Sequence, residues 1–108
     1  MTIVTFSKIE NRVKVCAYNH AYGSEIVCNG ISIMMYSLEA WLLNHSDYVR
    51  GHESEFRPGR AEIEFTPIES EVYDILGFVI EGLEQVEHTY GQKFITVNVS
   101  EALKTLIR

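Results

Sequence analysis

Between Glu69 and Gly91 the apolar residues Val72, Ile75, Leu76, Val79, Ile80, Leu83 and Val86 recur three and four positions apart. That spacing draws one face of a helix of roughly four turns, and such a face must be buried against something. A second stripe, Val27, Ile31, Met34, Met35, Leu38 and Leu42, predicts another helix from about Glu25 to near Asn44. Ser24 is placed to cap it, and Glu25 in the first turn complements the helix dipole. Around these two helices the period changes. "TIVTF" (2–6) and "RVKVCAY" (12–18), parted by the polar "SKIEN", read as a β-hairpin. "YVRGHESEF" and "RAEIEFTPI" flank "RPG" and read as a second hairpin, with Pro58 and Gly59 in its turn. "KFITVNV" (93–99) is a final strand, and "SEALKTLIR" is a short tail with helical character.

The order β-β-α-β-β-α-β predicts an α+β fold. Its economical form is a two-layer sandwich, a mixed or antiparallel sheet of about five strands with two helices on one face. A chain of 108 residues has room for one core, so residues 1–108 are expected to form a single domain. The strand 93–99 offers an edge to a second copy.

Charge narrows the partners. Fifteen acidic residues against nine basic ones give a formal charge of −6, which repels phosphate backbones and argues against direct nucleic-acid binding. A basic peptide or protein suits it better. Between Glu69 and Tyr90 there are six acidic residues and no Lys or Arg, read as a solvated outer face. The N-terminal residues lack the charged and apolar regions of a signal peptide. The tract "GISIMMYSLEAWLL" is cut by Ser32, Ser37 and Glu39, which argues against a membrane span. A cytoplasmic protein is expected, with Cys16 and Cys28 as thiols. Cys16 alternates with Val13 and Val15 and reads as a buried or half-buried strand residue. His45, His52 and His88 read as surface residues, and Met34, Met35 and Trp41 as core or dimer-face residues. No C-x-x-C or H-x-x-x-H spacing occurs, so no metal site is expected.

The stretch "YNHAYGSEIVCNGIS" (18–32) holds the residues with catalytic chemistry. Cys28 falls in the first turn of the first helix, where the helix dipole favours a thiolate. His20 leaves the preceding strand eight positions earlier, and a strand–loop–helix unit can bring the two together as nucleophile and base. Backbone N–H groups at the helix start are natural donors to an oxyanion. Ser32, at i+4 from Cys28, shares its helix face. Tyr18 and Tyr22, with Gly23 between strand and helix, are candidates for a substrate groove or for ordinary packing.

The string "HA…GSEIVCNGIS", after a hairpin and opening an apolar helix, resembles the signature of the ribosomal-processing cysteine proteases called Prp. In that pattern His20 matches the catalytic histidine, Cys28 the nucleophile and Ser32 the serine one turn later. Ile26, Val27, Gly30 and Ile31 match the helix-start context. Glu25 stands where the family has aspartate, Asn19 where it has glycine and Asn29 where it has alanine. The family's His-to-Cys spacing is longer by roughly four residues. The resemblance implies a homodimeric endopeptidase without cofactor or metal. Its substrate would be a bacterial large-subunit ribosomal protein, number twenty-seven, from which it removes a short N-terminal extension. Glu25, Ser32 and Asn29 would then support the oxyanion or touch the substrate. The shortened loop leaves a second reading, a degenerate module that binds a ribosomal or other basic protein without cutting it.

Overall fold

A computed structural model describes residues 1–19 and 24–107. The strands are β1 (Thr2–Ile9), β2 (Arg12–Tyr18), β3 (Val49–Arg57), β4 (Arg60–Pro67) and β5 (Ile95–Val99). The helices are α1 (Glu25–Asn44), α2 (Glu71–Tyr90) and α3 (Glu101–Ile107), with one 3-10 turn at Ser46–Tyr48. The sheet runs β3-β4-β2-β1-β5. Every pairing is antiparallel except β1 with β5, which is parallel, so the sheet is mixed as expected. The tail forms a third helix, with Leu103 fully buried in the core.

Alternation along the strands decides which face is covered. Val4 and Phe6 on β1, Val13 and Val15 on β2, and Ile63 and Phe65 on β4 are fully buried. They share one cluster with Val27, Ile31 and Leu38 of α1 and Leu76, Val79 and Leu83 of α2. The opposite positions carry charge, Arg12 pairing with Glu64 at 2.7 Å and Lys14 with Glu62 at 3.2 Å. The result is the expected two-layer sandwich, with helices on one face of the sheet.

Two glycines set the helix layer. α1 and α2 run antiparallel, with Gly30 facing Val86 and Gly82 facing Met34. A Cβ on Gly82 would stand 2.7 Å from Met34 Cε, so the Met34 side chain lies across the α2 backbone because residue 82 has no side chain. At the sheet's edge, Val97 of β5 donates its backbone N–H to Glu87 Oε2 of α2 at 3.1 Å. One outward amide of this edge strand is thereby occupied.

Two expectations need correction. α1 is 20 residues long and apolar enough by length and composition to cross a membrane, because three polar interruptions dilute it little. Part of that apolarity faces inward: Val27, Ile31, Met35, Leu38 and Leu42 are buried in the core. His52 is not a surface residue. Its Nε2 lies 2.7 Å from Glu39 Oε1, and the two side chains are only 14% and 17% exposed. Ser54 Oγ donates to the other Glu39 oxygen at 2.6 Å, so one carboxylate of α1 ties down two residues of β3.

Candidate active site

The N-terminal half of α1 and the β3–β4 hairpin enclose a cleft of about 480 Å³, within the usual range for ligand sites. Cys28 and Ser32 open onto it from α1, one turn apart, Cys28 half-buried and Ser32 exposed. Tyr36, the next residue on that stripe, stacks on Phe56 of β3 with ring centroids 4.7 Å apart and planes 14° apart. Ile31, Met35 and Ala61 add apolar surface, while Arg57 and Arg60 stand at the hairpin end.

The helix start is built as its sequence predicts. Ser24 adopts extended backbone and its Oγ accepts from the Val27 N–H at 3.2 Å. Its carbonyl accepts from the Cys28 N–H, also at 3.2 Å. The Cys28 amide is therefore spent on the helix, and the amides of Glu25 and Ile26 are the helix-start donors left for an oxyanion.

Asn19, the residue before His20, is fixed from both sides. Its N–H donates to Gly59 O at 3.0 Å, and its carbonyl accepts from Thr2 Oγ1 at 3.1 Å. Its φ is +69°, in the left-handed region that glycine enters freely and asparagine tolerates best among the others. Asparagine at this position thus keeps the backbone turn. Asn19→Gly should leave stability nearly unchanged, whereas Asn19→Val should lower it by about 1–2 kcal/mol in chemical denaturation.

His20, Tyr22 and Gly23 lie outside the described residues, and with them the histidine of the expected dyad and two of the three expected groove residues. Of the other expected residues, Cys28 and Ser32 line the cleft, and Tyr18, Glu25 and Asn29 do not. Tyr18 instead lies under Arg60, whose guanidinium carbon is 6.0 Å from the ring centroid. The aromatic wall comes from Tyr36 and Phe56, which the sequence reading missed. Tyr36 was within reach of it, at i+4 from Ser32. Phe56 was not, because its place depends on the hairpin folding back beside β2.

Neither cysteine forms a disulfide, and burial separates the two, Cys16 being buried and Cys28 half-buried. Cys16 is buried on β2, and burial pushes its thiol above the ordinary value, against the opposing pull of Arg60. Its neighbour Glu62 is held below the usual carboxylate range by its hydrogen bond from Arg60 and then by that from Lys14. Arg60 Nη2 reaches Glu62 at 2.7 Å, while its buried Nε has no partner among the described residues. The cleft can thus hold an extended peptide, an apolar side chain lying against Tyr36 and Phe56 and an oxygen acceptor against the hairpin arginines.

The S. aureus ribosomal processing protease Prp, in complex with a covalently linked product peptide, is similar with a TM-score of 0.70 at 22% identity. The match covers 93% of this chain and 100% of that one. The same protease in complex with a substrate peptide gives 0.71 at 20% identity, with the same coverage. The chain has the fold of the Prp proteases. SMU.848 from Streptococcus mutans is similar as well, with a TM-score of 0.70 and 21% identity over 92% of this chain and 93% of that one. No protein-family model matches the chain, and no curated protein matches it.

Proposed function

We propose that this chain is a cysteine endopeptidase of the Prp kind. It would remove a short N-terminal extension from a bacterial large-subunit ribosomal protein, number twenty-seven, or from a similar basic protein. The observation that carries the reading is Cys28, set in the first turn of α1 and opening with Ser32 onto a peptide-sized cleft. The shared fold with proteases seen in complex with substrate and product peptides supports it.

In this reading His20 takes the Cys28 proton and the thiolate attacks the scissile carbonyl carbon. The C=O π electrons move onto oxygen, and backbone amides at the α1 start hold the oxyanion. Collapse of that intermediate breaks the C–N bond, and His20 returns the proton to the leaving amine. Water, deprotonated by His20, then attacks the thioester and releases the acid and the Cys28 thiolate. Ser32 lines the same cleft and contacts the substrate, while Glu25 and Asn29 support the helix start. The enzyme would work in the cytoplasm as a homodimer, without metal or cofactor.

The test incubates the protein, and its Cys28→Ala and His20→Ala variants, with the N-terminally extended ribosomal protein. Cleavage by wild type alone is expected. Equal cleavage by wild type and Cys28→Ala, with contaminating proteases excluded, would sink the assignment. The shortened His20-to-Cys28 spacing favours one rival, a module that binds the basic protein and leaves it intact; binding without cleavage would establish that rival.

Thiol alkylation gives an independent measure. Because burial raises the Cys16 pKa, its thiolate forms only at higher pH, and Cys16 should lag at any pH below that raised value. Iodoacetamide should therefore label Cys28 before Cys16. Peptide mass mapping that finds Cys16 labelled first would contradict this order.

A further inference from the structure

The basic residues are absent from both long helices. No Lys or Arg occurs between Lys14 and Arg50 or between Arg60 and Lys93, stretches that contain all of α1 and α2. These helices carry seven acidic residues: Glu25 and Glu39 on α1, and Glu71, Asp74, Glu81, Glu84 and Glu87 on α2. Six of the nine Lys and Arg stand on strands β1 to β4, where Glu53, Glu55, Glu62 and Glu64 pair with four of them.

The acidic layer also has an apolar opening, separate from the candidate active site. A groove of about 320 Å³ runs between α1 and α2, floored by Gly82 and Met34 and edged by Phe78, Glu81, Glu84 and Gln85. Phe78 is 69% exposed and Ile33, next to Met34, is 63% exposed. Large apolar side chains this exposed, rimmed by charge, mark binding surfaces more often than bare solvent faces. At its floor the Met34 side chain occupies the space beside Gly82, where a Cβ would stand 2.7 Å from Met34 Cε.

We propose that the α1–α2 groove docks a cationic amphipathic segment of another protein. One or two of its apolar side chains would lie on Phe78 and Met34, and its Lys or Arg residues would face Glu81 and Glu84. Charge selects this occupant. An anionic membrane surface or a nucleic acid meets acidic residues with no cation on either helix to offset them. In a two-fold dimer through this groove Glu81 and Glu84 would face their own copies, like charge against like, which disfavours a second copy as the occupant. The surface is independent of peptide cleavage.

The test uses ¹⁵N-labelled Cys28→Ala protein, so hydrolysis cannot intrude, titrated with a synthetic amphipathic helix of lysine and leucine. The same peptide with glutamate for lysine is the control. Amide shifts should cluster at Ile33, Met34, Phe78 and Gly82. Glu81→Lys/Glu84→Lys and, separately, Phe78→Ser should each weaken binding by about tenfold or more, and added salt should weaken it further. Dispersed spectra of both variants will show that they fold. Shifts centred on Ser32 and Tyr36, binding within about twofold of wild type for both variants, or equal binding of the glutamate peptide would overturn the proposal. Concentration-dependent shifts at the groove without peptide would overturn it as well, in favour of a second copy.

Discussion

On the proposed mechanism, Cys28→Ala is expected to reduce peptide cleavage roughly 10⁴- to 10⁶-fold, since a lost nucleophile leaves only binding and oxyanion stabilisation. The fold should survive the change. Cys28 is half-buried at a helix start, packed against the edge of the core, and alanine is the best helix former. A loss of activity with unchanged thermal stability would therefore report chemistry. His20→Ala should approach the same floor, and the double variant should be little worse than either single one, because nucleophile and base act as a unit. Additive losses would mean that the two residues do not work together.

The largest effect on stability is expected at Phe6. It is fully buried on β1, the strand that joins β5 in parallel to the antiparallel remainder of the sheet. Its carbonyl accepts from the Ser100 N–H at 2.9 Å, where α3 begins. Phe6→Ala removes most of a ring from a site walled by both layers, so collapse around the void is limited. A loss of about 3–5 kcal/mol follows. Against a typical total of about 5–15 kcal/mol this is severe. The melting temperature should drop by roughly 15 °C or more. Phe6→Leu should cost much less, which urea denaturation of the two variants will show.

Most of the elements were legible because their signals are local. The stripe Val27–Leu42 and the cap at Ser24 placed α1 at its observed bounds, and Pro58-Gly59 placed the β3–β4 turn. The order of the strands was not legible. The pairing of β2 with β4, 46 residues apart at Cys16 and Glu62, depends on how two hairpins meet after the helices pack. The site divides along the same line. Cys28 and Ser32 share one helix face and could be read from spacing, whereas Phe56, Arg57 and Arg60 reach the cleft only through that non-local pairing. His52 was misread for the same reason, since its partner Glu39 lies on another element.

The separation of charge between strands and helices also bears on how the molecule behaves before it touches anything. Its smallest extent is 20 Å, more than twice the Debye length of roughly 8 Å at physiological salt. Strands β1 to β4 set six Lys and Arg against Glu53, Glu55, Glu62 and Glu64, so a solute nearing the helix layer senses negative charge that the strand layer largely lacks. The protein should carry a sizeable electric dipole moment, which exerts a torque on any charged body arriving within screening range. Encounter orientation, and with it the association rate, would then be set by ionic strength before any side chain makes contact.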